Sequence, residues 1–209
     1  MKKGKFVTIE GCEGVGKSTL ICSLKKHFEN KGIDAIFTRE PGGTPVAEKI
    51  REVILDANNS AMTPTCELML YASARAQHTQ EKIIPAVEQG KIVLCDRYSD
   101  STLAYQGYAR GLDMELCQKL CNLGQCGINI DLTIFLNLDP EDGFKRKGGA
   151  DKGDRLEQET LQFHKKVYNG FCDIAKKNPE RVAIIDASKG KEEVFNAVIN
   201  AFKDKGIID

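Results

Sequence analysis

The fold of this chain is decided by the stretch Gly11-Cys12-Glu13-Gly14-Val15-Gly16-Lys17-Ser18. It has the G-x-x-x-x-G-K-S pattern of a phosphate-binding loop. It follows an apolar run, Phe6-Val7-Thr8-Ile9, and opens a segment with helical periodicity, which is the context that such a loop requires. We therefore predict a strand, a phosphate-binding loop and a helix in that order.

The residue types in this loop explain how it would hold phosphate. Glycines let the backbone curl so that its N–H groups point at phosphate oxygens, and the helix that begins near Ser18 adds the positive end of its dipole. Lys17 offers a positive charge to the outer phosphates, and Ser18 offers a hydroxyl to Mg²⁺.

The composition fits a single domain, residues 1–209, with 30 basic and 30 acidic side chains. A net charge of zero does not favour nucleic acid or an anionic membrane as a partner. No apolar run is long enough to span a bilayer, and the basic start is not followed by the apolar region of a signal peptide. We expect a cytoplasmic protein.

Eight cysteines are present, and only Cys117, Cys121 and Cys126 lie close together in sequence. A disulfide framework is not expected in a cytosolic chain of this size. Cys117 and Cys121 lie on the apolar side of a predicted helix, so we interpret them as buried thiols. Metal binding would need a fourth ligand, and no histidine is nearby in the sequence.

Strand-like runs alternate with helical patterns along the whole chain, which predicts an α/β fold with a parallel sheet covered by helices on both faces. Ligands in such folds bind beyond the carboxyl ends of the strands. The predicted strands are residues 6–10, 35–38, 92–95, 132–138 and 182–185, and the predicted helices are residues 19–30, 46–55, 65–88, 114–123, 156–177 and 192–203.

Residues 146–155 are rich in glycine, basic and devoid of large apolar side chains. We expect a mobile loop between two helices, which is either a solvated connector or a lid that brings cations over bound phosphates. Arginine forks match phosphate oxygens, and an enzyme that moves phosphate between two nucleotides needs them for donor and acceptor alike. The candidates are Arg39, Arg51, Arg75 and Arg97 near the mouth of the sheet, and Arg146 and Arg155 in the lid.

Residues 96–107 have the sequence Asp96-Arg97-Tyr98-Ser99-Asp100-Ser101-Thr102-Leu103-Ala104-Tyr105-Gln106-Gly107. This segment resembles the signature D-R-Y…S-x-x-A-Y-Q-G of thymidylate kinases. The resemblance extends in the family's order to the last predicted helix through residues 38–44, 71–78, 131–141 and 154–159.

This resemblance implies a three-layer P-loop kinase fold with a five-stranded parallel sheet, and a homodimer. It implies transfer of the γ-phosphate of ATP to dTMP in dTTP biosynthesis, giving dTDP and ADP, with Mg²⁺. The residues that would bind ATP are Gly11, Cys12, Glu13, Gly14, Val15, Gly16, Lys17, Ser18 and Thr19.

The same resemblance assigns residues to the acceptor and to the chemistry. Glu13 resembles the family carboxylate near the 3′-hydroxyl and phosphoryl region of the acceptor, although it could also be an exposed loop residue. Arg97 and Arg51 resemble the clamps on the dTMP phosphate. Asp96 could hold Mg²⁺ together with Ser18, or could pair with a neighbouring arginine. The implied catalytic residues are Lys17, Glu13, Arg97, Arg155 and Arg146.

Thymine recognition would use one helix face and the signature segment. Tyr71 matches the aromatic residue that stacks on thymine, and Arg75, one turn later, matches the donor to its O4. Thr102 would meet the N3 edge, and Tyr105 would crowd the sugar 2′ position; core packing is the alternative for both tyrosines. The implied substrate-binding residues are Arg39, Arg51, Tyr71, Arg75, Arg97, Thr102, Tyr105 and Gln106.

The position where some family members carry a loop arginine is Gly14 here, which resembles the bacterial type with lid arginines. Arg155 matches the D-R-[IL]-E-x-E position, and Arg146 and Lys152 are further candidates for the catalytic cation.

Three other functions are compatible with a phosphate-binding loop. A kinase for another monophosphate is disfavoured by the thymine motifs, and a GTP switch by the absence of N-K-x-D. A deoxynucleoside kinase could use Glu13 or Asp96 as its base.

Overall fold

The computed structural model describes residues 3–147, 155, 156 and 158–209, and all five predicted strands form within them. Each strand matches its predicted bounds to within one residue at either end. The strands are β1 (Lys5–Glu10), β2 (Ala35–Arg39), β3 (Ile92–Asp96), β4 (Leu132–Asn137) and β5 (Val182–Asp186).

Helices connect successive strands. They are α1 (Lys17–Lys31), α2 (Pro45–Leu55), α3 (Pro64–His78), α4 (Ile84–Glu88), α5 (Ser99–Thr102), α6 (Met114–Gly124), α7 (Pro140–Lys147), α8 (Leu161–Lys177) and α9 (Lys191–Asp204). A short 3-10 turn forms at Ala57–Asn59, and π-helical turns form at Thr79–Ile83 and Leu103–Ala109. Within the described ranges, no helix is both long enough and apolar enough to cross a membrane.

The sheet is parallel throughout, with the strand order β2-β3-β1-β4-β5. Ile9 near the end of β1 lies opposite Asp96 at the end of β3. The loop after β1 and the segment after β3 therefore leave the sheet side by side. The predicted α/β fold is confirmed, and its main motifs meet at the carboxyl edge of the sheet.

Both faces of the sheet are buried because alternate residues of a strand point to opposite faces. Phe6 packs with Ile83, beside α4, on one face. Val7 and Ile9 point to the other face, where they join Leu24 of α1 in the main core. The helices on both faces hold the central strand in place and fix the direction of the loop that follows it.

The helix predicted over residues 65–88 is confirmed, and its helical turns run without a break from Pro64 to Glu88. It is not regular throughout, because α3 is followed by a π-helical turn at Thr79–Ile83 and then by α4. Pro85 lies at the start of α4 and has no N–H to donate to the preceding turn, so a regular helix cannot pass through it without loss of a hydrogen bond.

Two predictions, the start of the helix at residue 156 and the loop at Arg146, need correction. The helix predicted to begin at residue 156 begins at Leu161, because Thr160 caps it by accepting a hydrogen bond from the backbone N–H of Phe163 at 3.2 Å. Arg146 lies in α7 and not in a loop. The side chain of Asp139 accepts from the backbone N–H of Glu141 at 2.8 Å and so supports the start of that helix.

The remainder of the predicted lid loop, residues 148–154 with Lys152, lies outside the described residues.

The interpretation of Cys117 and Cys121 as buried thiols is confirmed. Cys117 and Cys121 are both fully buried on α6. Burial raises the pKa of the Cys121 thiol to about 11, so this thiol is neutral at physiological pH.

Candidate active site

A cavity of about 370 Å³ opens at the carboxyl edge of the sheet, between the phosphate-binding loop and α3. It collects most of the predicted site residues from six separate segments of the chain. The predicted residues that line it are Glu13, Gly14, Val15, Gly16, Lys17, Ser18, Thr19, Arg39, Arg51, Tyr71, Arg75, Asp96, Arg97, Thr102, Tyr105, Gln106 and Arg146. Gly11, Cys12 and Arg155 lie outside this lining.

The phosphate-binding loop has the predicted conformation. Gly14 and Gly16 have φ angles of 73° and 98°, in the left-handed region that glycine tolerates best. The buried Lys17 ammonium donates to the carbonyl oxygens of Gly11 (3.0 Å) and Cys12 (2.8 Å). Burial also lowers the pKa of Lys17. The loop therefore holds a cation at the N-terminus of α1, where phosphate is favoured.

Arg97 is fixed by the phosphate-binding loop itself. One Nη1 hydrogen bond reaches the Gly11 carbonyl oxygen at 2.9 Å, and Nη2 forms an ion pair with the Glu13 carboxylate. The specific partner expected for Glu13 is therefore Arg97 in this structure. Arg97 also has a left-handed backbone, with φ of 65°, which is uncommon outside glycine.

Glu10, at the end of β1, holds the turn that presents Arg97, and our sequence analysis missed it. Its carboxylate accepts from the Tyr98 backbone N–H at 2.7 Å and from the Ser101 hydroxyl at 2.5 Å. Burial, and then the nearby Asp100 carboxylate, raise the pKa of Glu10 to about 8. A carboxylate at the buried end of a strand was the only sequence signal of this role.

The acidic residue predicted to hold a cation is suited to that task. Asp96 lines the cavity, and its buried Oδ1 has no hydrogen-bond partner among the described residues. Buried oxygens of this kind are normally satisfied by a ligand or a water molecule. Ser18 lines the same cavity, and carboxylate and hydroxyl oxygens suit Mg²⁺. Among the described residues Asp96 forms no ion pair with an arginine, so the alternative role, pairing with a neighbouring arginine, is not observed.

Arg75 and Thr102, the two predicted base-edge residues, touch each other. Arg75 Nη2 donates to the Thr102 hydroxyl at 2.9 Å, and Arg75 Nε donates to Glu40 at 2.8 Å. The guanidinium carbon also lies 5.0 Å from the centre of the Tyr98 ring. This end of the cavity is therefore polar, buried and held by contacts within the protein.

The two predicted aromatic residues both line the cavity. The ring of Tyr105 packs edge-on against Phe163 and Phe171, so it belongs to the core as well. Its buried hydroxyl has no hydrogen-bond partner among the described residues. Core packing and ligand contact are thus compatible roles for this residue.

The remaining predicted substrate contacts have identifiable partners. Arg39 donates to Glu48 at 2.8 Å, and Arg51 donates to the carbonyl oxygen of Pro41 at 2.9 Å. Gln106 donates to Glu67 at 2.8 Å. Each of these three side chains is therefore held beside the cavity by a hydrogen bond to another residue of the protein.

The two arginines of the predicted lid have different partners, and only Arg146 lies at the cavity. Arg146 lines the cavity and donates to the carbonyl oxygens of Ala187 (2.7 Å) and Ser188 (3.1 Å), after β5. Arg155 donates through Nε to the Ile54 carbonyl oxygen at 3.1 Å and forms an ion pair with the buried Glu67. Sequence reasoning missed Glu67, whose position one helical turn before Tyr71 was its only signal.

A family model described as Thymidylate kinase matches residues 9–198. The chain belongs to the thymidylate kinase family. The predicted family resemblance is confirmed, and it spans both the phosphate-binding loop and the base-edge residues of the cavity.

Individual thymidylate kinases align over nearly the whole chain. One from Geotalea uraniireducens is 47% identical over 204 residues, which are 95% of this chain and 96% of the relative. One from Geobacillus sp. is 45% identical over 205 residues, covering 97% and 98%. The crystal structure of thymidylate kinase from Ehrlichia chaffeensis matches with a TM-score of 0.77 and 32% identity, covering 96% of this chain and 99% of that one.

Proposed function

We propose that this chain transfers the γ-phosphate of ATP to dTMP, giving dTDP and ADP in dTTP biosynthesis. The main observation in support of the proposal is that one cavity joins the phosphate-binding loop to the Arg75–Thr102 pair. Its two ends suit a triphosphate and a pyrimidine, and membership of the thymidylate kinase family supports the choice of dTMP.

Positioning and charge neutralisation do most of the work in phosphoryl transfer. The loop N–H groups and Lys17 bind the ATP phosphates, while Arg97, Arg51 and Arg39 bind the dTMP phosphate. Glu13 holds Arg97 against the loop, so the two phosphate-binding groups keep a fixed separation. Fixed cations in a site with little water stabilise charge more strongly than mobile ones do.

Asp96 and Ser18 are the residues that would hold Mg²⁺. When bound, Mg²⁺ neutralises negative charge on the phosphates. The unpartnered Oδ1 of Asp96 supports this assignment, because a nearby cation would satisfy it.

At the other end of the cavity, Arg75 donates to O4 of thymine, and Tyr71 stacks on the ring. Cytosine carries an amino group in place of O4, so donor would face donor and a buried group would be left unpaired. Thr102 accepts from the N3–H, Tyr105 crowds the 2′ position, and Gln106 lines the same end.

Arg146 and Arg155 are both proposed as catalytic cations, by different routes. Arg146 uses two of its guanidinium N–H groups on backbone carbonyls, and three of the five that arginine carries remain for phosphate. Arg155 would have to exchange Glu67 for phosphate, so its contribution depends on a rearrangement.

The chain is further proposed to act in the cytoplasm as a homodimer. Large apolar side chains are exposed on three adjacent helices, α2, α3 and α6, and exposed apolar surface of this kind marks interaction sites. These side chains are Val46, Val53, Met69, Met114, Leu116 and Leu123. A sedimentation experiment that found only monomers at micromolar concentration would contradict the dimer.

The activity is tested by measuring ADP release with a panel of nucleoside monophosphates. We expect dTMP to be the preferred acceptor, dUMP to be weaker, and dCMP and GMP to be poor acceptors. A preference for GMP or dCMP over dTMP would contradict the assignment of the base pocket.

A further inference from the structure

The guanidinium of Arg75 is one of the most deeply buried charges in the described part of the chain, with 1% of the residue exposed. The carboxylate paired with it is Glu40, which is 4% exposed. Glu40 lies directly after β2, and Arg75 lies on α3, so the pair joins two elements that line the cavity.

Glu40 is itself held by a second set of partners. Its Oε1 lies 3.0 Å from Nδ1 of the buried His78, and His78 Nε2 lies 2.8 Å from the Thr38 hydroxyl. Both carboxylate oxygens of Glu40 therefore have a fixed direction. A chain of contacts therefore runs from the half-buried Thr38 through His78 and Glu40 to Arg75 and Thr102.

The donors of Arg75 can be accounted for individually. Arginine has five N–H groups in a planar fork. Nε donates to Glu40, Nη2 donates to Thr102, and Nη1 lies 3.8 Å from the Cys121 sulfur. Two N–H groups of the terminal nitrogens have no partner among the residues that the structure describes. Glu40 fixes the plane of the fork, and so fixes where these donors point.

Charge balance gives Glu40 a second role. A thymine base is neutral, so it cannot compensate the buried charge of Arg75 when it binds. A buried charge without a partner is strongly unfavourable. The compensating charge must come from the protein, and Glu40 supplies it at Nε, whereas the remaining donors are on the two terminal nitrogens.

We propose that Glu40 is a positioning residue for thymine recognition, holding Arg75 so that its free N–H groups meet the 4-oxo group of the base and its Nη2 orients Thr102. This inference rests on the proposed function, because it places the base at the Arg75 end of the cavity. A purely structural role, tying the loop after β2 to α3, is the alternative.

The test compares dTMP with its 4-thio analogue, whose sulfur accepts hydrogen bonds poorly. We expect the wild-type chain to prefer dTMP in kcat/KM by about tenfold, as for the loss of one charge-assisted hydrogen bond. Arg75→Ala should abolish this preference. Glu40→Gln should reduce it to less than half, mainly through KM for dTMP, while KM for ATP stays close to the wild-type value.

A matched control is Arg181→Gln. This variant breaks a different ion pair, which is only partly buried and in which Arg181 Nη1 lies 2.9 Å from Asp100. Arg181 does not line the cavity. The substitution should lower stability but keep the wild-type preference for dTMP. Should Glu40→Gln fail to fold, Glu40→Asp keeps the charge but is too short to hold Arg75 and His78 in the same geometry, and it should lower the preference in the same way.

The proposal is overturned if a folded Glu40 variant keeps the full preference that Arg75→Ala loses. It is also overturned if Arg75→Ala keeps the preference, since Arg75 would then not read O4, while turnover of dTMP would leave the proposed kinase activity standing. A wild-type chain that does not phosphorylate dTMP would overturn both.

Discussion

Gly14 and Gly143 pack backbone against backbone. A Cβ at position 14 would lie 2.1 Å from the Gly143 carbonyl oxygen, and a Cβ at position 143 would lie 2.4 Å from the Glu13 carbonyl oxygen. The phosphate-binding loop therefore has no room for an arginine at Gly14. The helix packed on the loop, α7, carries Arg146, which is the residue proposed to supply a cation instead.

This contact predicts the effect of a single methyl group. Gly143→Ala should push α7 away from the loop and lower kcat by roughly tenfold to a hundredfold, because small displacements in a phosphoryl-transfer site are costly. The free energy of unfolding should fall by only about 1–3 kcal/mol. Steady-state kinetics and chemical denaturation measure both quantities.

The matched control is Gly190→Ala. A Cβ at Gly190 would lie 3.2 Å from the end of the flexible Glu193 side chain, which can move aside. Wild-type kcat in a folded Gly143→Ala variant would show that the contact between α7 and the loop is not needed for turnover.

Lys17→Met should reduce turnover by at least about a hundredfold, since it removes a fixed charge at the phosphates. The aliphatic stem is retained, so we expect circular dichroism and thermal unfolding close to those of the wild type. Lys26→Met, at an exposed position on the same helix, is the control and should keep its rate. Equal rates in the two variants would argue against a role for Lys17 in phosphate binding.

The raised pKa of Glu10 predicts that the free energy of unfolding depends on pH. Burial raises its pKa from 4.5 to about 8, so between these values the folded chain binds a proton that the unfolded chain has released. The free energy of unfolding therefore falls as the pH rises through this window, by at most about 1.4 kcal/mol per pH unit. The charges that act on Glu10 are Asp100, which strengthens the shift, and Arg97, which opposes it.

Glu10→Gln mimics the protonated acid and removes this titration. We expect the variant to lose less stability than the wild type between pH 5 and pH 8, measured by urea denaturation at several pH values. Parallel stability curves for the two proteins would mean that Glu10 does not titrate in this range.

The proposed contact between Tyr105 and the sugar predicts a preference for a deoxyribonucleotide over a ribonucleotide. Tyr105→Leu should lower the preference for dTMP over its ribonucleotide by about tenfold, because the ring that crowds the 2′ position is lost. Its packing against Phe163 and Phe171 implies a loss of about 1–3 kcal/mol in stability. Tyr105→Phe keeps the ring and should keep the preference; a loss in this variant would assign the effect to the hydroxyl instead.

The sequence predicted the strands and most cavity residues because the relevant signals are local. The loop glycines, Lys17 and the segment around Arg97 occur in contiguous motifs. The helix over residues 65–88 was predicted from its apolar periodicity, but the π-helical turn at Thr79–Ile83 was not, because Pro85 is its main local signal and is weaker than that periodicity.

The supporting carboxylates could not be predicted in this way. Glu10, Glu40 and Glu67 bind partners 35 to 91 residues away in sequence. A glutamate of this kind is indistinguishable from a solvated one until the fold brings its arginine or backbone donor to it. These three residues are now the best candidates for control of the geometry of the site.

The central claim is that the cavity aligns ATP with the phosphate of dTMP, and the most direct test is to follow the label from γ-labelled ATP. We predict that the label appears in dTDP when dTMP is the acceptor, and that thymidine accepts none. Robust labelling of thymidine, with no labelled dTDP formed from dTMP, would contradict the account.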